Sequence, residues 1–357
     1  LIGYYHEKED SRTAALQALL VTGAGGLALL AGVVLMALIG GSWEISELLE
    51  QGDLITTNSQ YLPILFLILL AAFTKSAQFP FHFWLPNAMA APAPVSTYLH
   101  SATMVKAGIY LLARFSPALG GTPAWFYSVT TIGAITMLLA AHMAWQRTDL
   151  KRILAYSTVS ALGILTMLLG EGSSLAVEGA VVFLVVHAMY KGSLFMVAGA
   201  VDHESGTRFI DKLGGLRKAM PITAIIAVLA AVAMAGLPPM LGFVGKELIY
   251  EATLEAHLYV LTILGFLTFA LTITAAMLVV LPVFFGPVVE TPKHPHVAPV
   301  SMWLGPGLLA VLGLLLGLLS PAFGEMIVSP AASAIEHHPV EVHLGLWHGL
   351  SPTPVSY

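Results

Sequence analysis

The sequence predicts an all-α fold: a polytopic transmembrane helix bundle with inverted repeats and two broken helices. The prediction rests on an apolar composition, on apolar segments that approach the ~20 residues of a membrane span, and on lysines and prolines inside those segments. Of the 357 residues, 57% are hydrophobic and 10% are charged. In soluble domains, about 45–50% of the residues are apolar and about 25% are charged. The mean hydropathy of +0.84 also indicates a membrane protein.

Long apolar segments give the expected helices. With its flanks, each can cross roughly 30 Å of hydrocarbon. The acidic, amphipathic stretch Trp43–Leu54 is expected to lie on the membrane surface. We also expect a partial helix before the first segment and another after Val342. The segments are Ala14–Gly40, Tyr61–Pro80, Pro94–Ala113, Trp125–Trp145, Ile153–Leu169, Val177–Val201, Pro221–Glu251, Leu258–Phe285 and Ser301–Leu319.

The helix order divides the chain into three parts. Two of them read as repeats, and each repeat contains one interrupted helix. Because the sequence begins with Leu1, at what resembles the end of a helix, we expect it to be a truncated piece of a longer protein. The parts are 1–120 with a broken helix at 75–86, 121–256 with a broken helix at 234–247, and 257–357, which adds C-terminal transmembrane helices.

Basic and acidic residues fall on opposite sides of the predicted membrane. The connections Gln146–Lys151 and Asp202–Lys218 are basic and lie on one side. Acidic residues such as Glu44 and Glu171 lie on the other side, where Arg114 is an exception. Cytoplasmic loops are enriched in Lys and Arg. We therefore predict a multi-pass protein of the cell inner (plasma) membrane whose basic loops face the cytoplasm.

The composition also excludes several kinds of site. The chain has no cysteine, which excludes thiolate ligation of iron–sulfur clusters, disulfides and a cysteine nucleophile. No phosphate loop, Rossmann glycine pattern or nucleic-acid patch is present, so we expect no cofactor and no nucleic-acid partner. The histidines of the polar connections lack the spacing of a metal motif, and we expect them to be solvated: His294, His296, His337, His338, His343 and His348.

Two hydrophobic segments are interrupted in related ways. In Phe73–Pro86 a lysine precedes prolines, and in Met234–Glu247 a lysine follows glycine and two prolines. Proline frees a helix carbonyl and glycine weakens the helix. In lipid, freed backbone groups must be buried in protein or line a wet cavity. Broken helices in corresponding parts of two halves point to an ion site in a transporter; two kinked structural helices are the alternative.

Ionisable residues inside the predicted spans are the candidate proton relay. A lysine at the centre of a membrane helix costs roughly 2.5–3.5 kcal/mol, so it should face protein or water. Histidine exchanges protons near neutral pH, although a single buried histidine can also be a core residue. Lys151, at a helix end, reads equally well as a snorkelling anchor or as a relay member. The relay candidates are Lys75, His100, Lys106, His187, Lys191 and Lys246.

Several long motifs carry a family resemblance: Lys75–Met89, Ala91–Gly108, Thr148–Thr158, His187–Lys191 and Gly236–Glu247. They resemble the antiporter-like membrane subunits of respiratory complex I and of Mrp antiporters over nearly the whole chain. Met104–Gly108, Gly236–Pro239 and His294–Trp303 are most similar to the A subunits of Mrp-type multisubunit sodium/proton antiporters.

The resemblance implies a role for some of these residues. Lys75 and Lys246 match the family lysines of the two broken helices, and His100, His187 and Lys191 match the relay between them. The family pairs its first lysine with a glutamate that would lie upstream of this sequence.

The expected function is that of a proton-translocating subunit in a multisubunit monovalent cation (sodium)/proton antiporter. Its expected partners are other membrane subunits, protons, sodium and the lipid bilayer. Such a subunit is a secondary transporter component rather than an enzyme. A proton-pumping membrane subunit of NADH:quinone oxidoreductase (complex I) is the alternative, and a purely structural membrane scaffold is a third hypothesis.

Overall fold

A computed structural model of the chain describes residues 1–346, and this part is helical without strands. Six of its helices are long and apolar enough to span a membrane. The predicted all-α helix bundle is therefore confirmed. The helices are α1 (Glu9–Gly40), α2 (Ile45–Leu49), α3 (Gly52–Thr57), α4 (Tyr61–Lys75), α5 (Trp84–Asn87), α6 (Ala93–Thr97), α7 (Ala107–Leu119), α8 (Pro123–Trp145), α9 (Leu150–Glu171), α10 (Ser174–Ser205), α11 (Pro221–Ala235), α12 (Leu241–Glu255), α13 (Tyr259–Val280), α14 (Val300–Leu318), α15 (Ser320–Phe323) and α16 (Ser329–Glu336).

Helix α10 lies at the centre of the bundle. It packs against α6, α9, α11, α12 and α14. Helix α9 is almost wholly buried, whereas α1 and α14 leave most of their apolar surface exposed. Side chains cap the central helices: Thr122 caps α8, Asp149 caps α9 and Ser173 caps α10. Capping satisfies amide groups that a helix start leaves unpaired.

Helices α8 and α9 approach each other closely through two glycines. A Cβ atom on Gly133 would collide with the backbone of Met167, and one on Gly163 would collide with the backbone of Met137. Small residues allow membrane helices to pack backbone against backbone. This pair therefore helps to position α9, the helix that supplies the hydrogen-bond partners of Lys191.

The first broken helix is confirmed. Helix α4 ends at Lys75, and the chain continues through turns to the short helix α5. The Trp84 indole N–H donates to the freed carbonyl of Thr74 at 3.0 Å. The Phe79 amide donates to the Thr136 hydroxyl at 2.9 Å. Backbone groups released by the break are thus satisfied inside the protein, as the membrane requires.

The second broken helix is also confirmed. Helix α11 ends at Ala235, and Gly236 adopts the left-handed conformation with φ +72°. Helix α12 begins at Leu241. In the first break the lysine is the last residue of the leading half-helix, whereas in the second Lys246 lies in the trailing half-helix. This reversal agrees with inverted repeats, and the repeat boundaries stay a prediction.

The prediction of one continuous helix over Pro94–Ala113 was wrong. Helix α6 passes into a π-helical turn, Tyr98–Ala102, and Thr103 leaves helical geometry with φ −130° and ψ −78°. The Val105 carbonyl instead accepts a hydrogen bond from the Ser76 hydroxyl at 2.6 Å. Ser76, the residue that follows α4, thus contacts the irregular segment, which the sequence of this segment alone does not reveal.

Two smaller predictions also failed. The partial helix expected before the first span is a series of turns, and residues 343–346 do not begin a helix. The sequence analysis did not predict the short helical pieces after α14, including α15, the π-helical turn Gly324–Val328 and α16. His348 and the rest of the helix expected after Val342 lie outside the described residues.

Candidate functional site

Four ionisable side chains cluster around the middle of α10. His187 and Lys191 lie one turn apart on this helix and are fully buried. His100 comes from the π-helical turn, and its ring lies 4.7 Å from that of Phe195 on α10. Lys106, Lys191 and His100 are all close enough to act electrostatically on His187. The irregular segment between α6 and α7 therefore brings its two basic residues to α10.

Lys191 is held by α9. Its ammonium donates to the Leu154 carbonyl at 3.1 Å and also to the Ser157 hydroxyl. The Lys191 side chain has no exposed surface. Both partners are neutral, so the positive charge is solvated by dipoles rather than cancelled by a carboxylate. Neutral partners compensate the burial of a charge less well than a carboxylate would, which favours release of the proton.

Lys106 is held by α10 itself. Its ammonium donates to the Leu184 carbonyl at 3.1 Å, and the residue is 8% exposed. Leu184 lies three residues before His187 and therefore on the same side of the helix. This hydrogen bond ties the irregular segment after α6 to the face of α10 that carries His187.

The two histidines have unused hydrogen-bonding capacity. Within the part of the chain that the structure describes, neither ring nitrogen of His100 or of His187 has a hydrogen-bond partner, and all four atoms are buried. Buried polar side-chain atoms are nearly always paired, so such exceptions mark functional or hydrated positions. Both imidazoles are also close enough to Lys191 to interact with it electrostatically.

Lys246 occupies the second break. Its ammonium donates to the Ala235 carbonyl at 2.7 Å, and it lies 4.6 Å from the centre of the Phe269 ring. Ala235 is the last residue of α11, so its carbonyl is one that the helix end leaves free. The cation–π contact supplies further stabilisation to a charge that is 8% exposed.

Lys75 differs from the other candidates. It is the last residue of α4 and is half-buried, and in residues 1–346 its ammonium forms no hydrogen bond or ion pair. The structure thus brings together His100, Lys106, His187 and Lys191. It leaves Lys75 and Lys246 without direct contact to that cluster.

Lys151 is more deeply buried than the sequence suggested. It is 2% exposed, and its ammonium donates to the Ala91 carbonyl at 2.8 Å. The snorkelling interpretation was therefore wrong. Its helix start is fixed by Asp149, which caps α9 and pairs with Arg208 at 2.9 Å. Asp149 and Arg208 were missed, although an Asp two residues before a Lys at a helix start is a recognisable capping signal.

A cavity of about 1520 Å³ opens beside this region, between α1, α6, α10 and α14. Its wall includes Lys151 and Ser101, the neighbour of His100. Lys151 is also close enough to His100 to act on it electrostatically. The cavity therefore reaches residues next to the cluster in sequence, among them Ser101 and Gly192. Within the described residues, no three His, Cys, Asp or Glu side chains could hold a metal ion.

Comparisons with known proteins agree with this architecture. The family model described as "NADH:quinone oxidoreductase/Mrp antiporter, TM" matches residues 1–272. A solved structure of the Mrp complex from Dietzia sp. DQ12-45-1b has a chain that superposes with a TM-score of 0.88 and 44% sequence identity. That match covers 97% of this chain and 38% of the other.

Curated relatives show the same relationship. A relative from Rhizobium meliloti (strain 1021), named as the A/B subunit of a probable K(+)/H(+) antiporter, is 46% identical over 98% of this chain and 36% of its own length. The A subunit of a Na(+)/H(+) antiporter from Bacillus subtilis (strain 168) is 41% identical over 98% of this chain and 47% of its own length. The chain spans less than half the length of these relatives. It belongs to the NADH:quinone oxidoreductase/Mrp antiporter family of membrane proteins.

Proposed function

We propose that this chain is the proton-translocating part of a subunit in a multisubunit monovalent cation/proton antiporter. Both curated relatives are named as antiporter subunits, and the similar solved structure is an Mrp complex. The observation that carries the proposal is the cluster of His100, Lys106, His187 and Lys191 on the buried face of α10. Packing alone gives no reason to bury four basic groups together in hydrocarbon.

Proton transfer through the cluster follows from its bonding. Lys106 and Lys191 are each stabilised by a neutral carbonyl, so either the ammonium or the amine can exist there. His187 lies between them with both nitrogens unbonded. A proton that leaves one lysine can be accepted by the imidazole and passed on, and repulsion between the basic groups disfavours charging all of them at once.

Protons would reach the cluster from the cavity. Lys151 lines the cavity and acts on His100, so it stands between water and the buried groups. We assign Lys75 and Lys246 to the two ends of the relay, because each lies at a helix break where freed backbone groups can hold water. These two lysines would be connected to the cluster either by intervening water or by a movement of the broken helices.

The proposed location is the cell inner (plasma) membrane, with the basic connections in the cytoplasm. Arg147, Arg208 and Lys293 all lie in connections on the side of the bundle that carries the cavity. The excess of Lys and Arg on this side follows the positive-inside rule. The exposed apolar faces of α1 and α14 are then free to meet lipid or other membrane subunits.

Sodium is the proposed exchanged cation, because the B. subtilis relative is named for sodium. The R. meliloti relative is named for potassium. The test therefore compares how far NaCl and KCl, added in separate assays, collapse an imposed pH gradient. In everted vesicles that carry the native complex, addition of NaCl should collapse an imposed pH gradient, and the Lys191→Met variant should lose this response. A gradient that collapses equally in native and variant vesicles would overturn the proposed relay.

The complex I alternative makes a different prediction. A subunit of a redox-driven pump would acidify vesicles on addition of NADH and would not need sodium. If the complex that contains this chain co-purifies with NADH-oxidising activity and pumps protons with it, the alternative would replace the antiporter proposal.

A further inference from the structure

The C-terminal end of α10 carries a buried carboxylate between two histidines. The Glu204 side chain is 2% exposed, and its two oxygens lie 3.0 Å from Nδ1 of His203 and 3.1 Å from Nδ1 of His296. Both imidazoles are largely exposed, at 59% and 74%. We call these three residues the His203–Glu204–His296 cluster. Sequence analysis expected His296 to be a solvated loop residue, and its bond to Glu204 was missed.

The cluster joins two parts of the chain that are distant in sequence. His203 and Glu204 belong to α10, whereas His296 lies in the connection between α13 and α14. The same connection is bonded to α10 through Lys293, whose amide donates to the Ser205 carbonyl at 3.0 Å and whose ammonium donates to the His203 carbonyl at 2.9 Å. The α13–α14 connection is therefore bonded to α10 through both Lys293 and His296.

The cluster also lies on the helix that carries the candidate relay. Ser193, two residues from Lys191 on α10, donates to the Pro306 carbonyl of α14 at 2.9 Å. Helix α14 begins at Val300, four residues after His296. Attachment of the connection to α10 therefore helps to hold α14 against the part of α10 that contains Lys191.

Other charges surround the cluster. The cavity wall that includes His203 also carries Asp202 of α10, Lys8, Glu9 and Asp10 near the start of α1, Lys151 and Arg152 of α9, Arg208, and Lys293 of the connection. Acids and bases are both represented, so the cavity does not impose one sign of charge. In the described part of the chain, no group of three or more His, Cys, Asp or Glu residues is arranged to hold a metal ion. Protonation is thus the change of state that fits the cluster.

We propose that the His203–Glu204–His296 cluster is a pH-sensitive contact that fastens the α13–α14 connection to α10 when its histidines are protonated. Histidines change charge between about pH 5 and pH 8. Protonated imidazoles attract the buried carboxylate, which would otherwise be costly to keep charged. As pH rises the attraction weakens, the connection loosens, and α14 gains freedom beside Lys191. Antiport, as proposed above, would be slower on the acid side and faster on the alkaline side.

Distance measurements test the contact without relying on transport. The 357 residues contain no cysteine. Spin labels can be attached at the exposed positions His294→Cys and Asp211→Cys in the assembled complex, once any cysteines in the rest of the complex have been replaced. We expect a narrow distance distribution at pH 5.5 that broadens by pH 8.5. The His296→Gln and Glu204→Gln variants should be broad at both pH values. A distribution that is the same at both pH values in the native complex would overturn the proposal.

Transport measurements test the consequence. At pH 6, Glu204→Gln and His296→Gln should antiport about threefold faster than the native complex, the size expected for losing an ion pair whose histidine partners are exposed. At pH 8.5 the native complex and both variants should antiport at the same rate. His294→Gln, an exposed histidine two residues away, should behave as native. Native pH profiles in both cluster variants would contradict the regulatory role. A complex without any antiport but with pH-dependent distances would instead contradict the proposed function and leave the contact intact.

Discussion

The Lys246 ammonium donates a hydrogen bond of 2.7 Å to the Ala235 carbonyl, and so joins the two halves of the second broken helix. Ala235 ends α11 and Lys246 lies in the second turn of α12. One side chain therefore satisfies the backbone group that the break exposes and carries the charge that the break accommodates. The break and the buried lysine stabilise each other, which explains why they occur together.

Replacing Lys246 with methionine should remove both of these roles at once. Methionine fills similar volume but leaves the Ala235 carbonyl unpaired and removes the exchangeable proton. Because a hydrogen bond from a charged donor contributes about 1.5–3 kcal/mol, we expect at least a tenfold lower antiport rate. The measurement is sodium-dependent proton flux in vesicles, normalised to assembled complex. Lys218→Met, at an exposed position, is the control and should retain the native rate; equal rates for both variants would contradict a role for Lys246.

Gly236→Ala should displace Lys246 indirectly. A Cβ atom at this position would collide with Cδ of Lys246, and Gly236 has φ +72°. The matched control is Gly41→Ala, with φ +68° but no atom within 4 Å of the added Cβ. Both variants should lose roughly 1–2 kcal/mol of stability from left-handed strain, measured as thermal denaturation of the complex. Only Gly236→Ala should also lose antiport. Similar activity in the two variants would show that the Lys246 position is not critical.

Ser157→Ala should weaken the relay through Lys191. The Ser157 hydroxyl is one of two partners of the buried ammonium. Its loss should lower the antiport rate by about tenfold, the range expected for a hydrogen bond to a charged group. Ser160→Ala is the control, since Ser160 lies on the same helix and bonds only the Met137 carbonyl at 2.8 Å. A Ser160 variant that is as impaired as the Ser157 variant would point to helix packing instead.

A double-mutant cycle should reveal coupling between Lys106 and His187. These residues act on each other electrostatically and come from different helical segments. If they pass the same proton, Lys106→Gln and His187→Gln should each abolish most transport, and the double variant should be little worse than either alone. Neighbouring groups in one network typically show coupling of about 0.5–3 kcal/mol. Strictly multiplicative losses would indicate independent roles.

Much of the fold could be predicted from the sequence because the membrane imposes a simple rule on length and polarity. The segment that became α8 is apolar over the thickness of a bilayer, and its predicted start at Trp125 is within two residues of the observed Pro123. Both broken helices could be predicted as well, because proline and glycine act locally on the backbone. Lys75 and Lys246, which lie beside the prolines and glycine, also indicated that the helices are interrupted at these positions.

The failures came from contacts between distant segments. The interruption at Thr103 lies beside a hydrogen bond from Ser76 to Val105 and cannot be seen in the local apolar pattern. The partners of Lys106 and Lys246 are backbone carbonyls, which carry no sequence signal. The His296 bond to Glu204 spans the α13–α14 connection and could not be inferred from spacing.

Proton flux through Lys191 tests the central claim most directly. Its ammonium is fully buried and bonded to Leu154 and Ser157, so methionine at this position removes the proton carrier with little change in volume. In vesicles that contain equal amounts of assembled native and Lys191→Met complex, stopped-flow recording of internal pH after a sodium jump should show flux in the native complex and none in the variant. Native flux in the variant would contradict the relay.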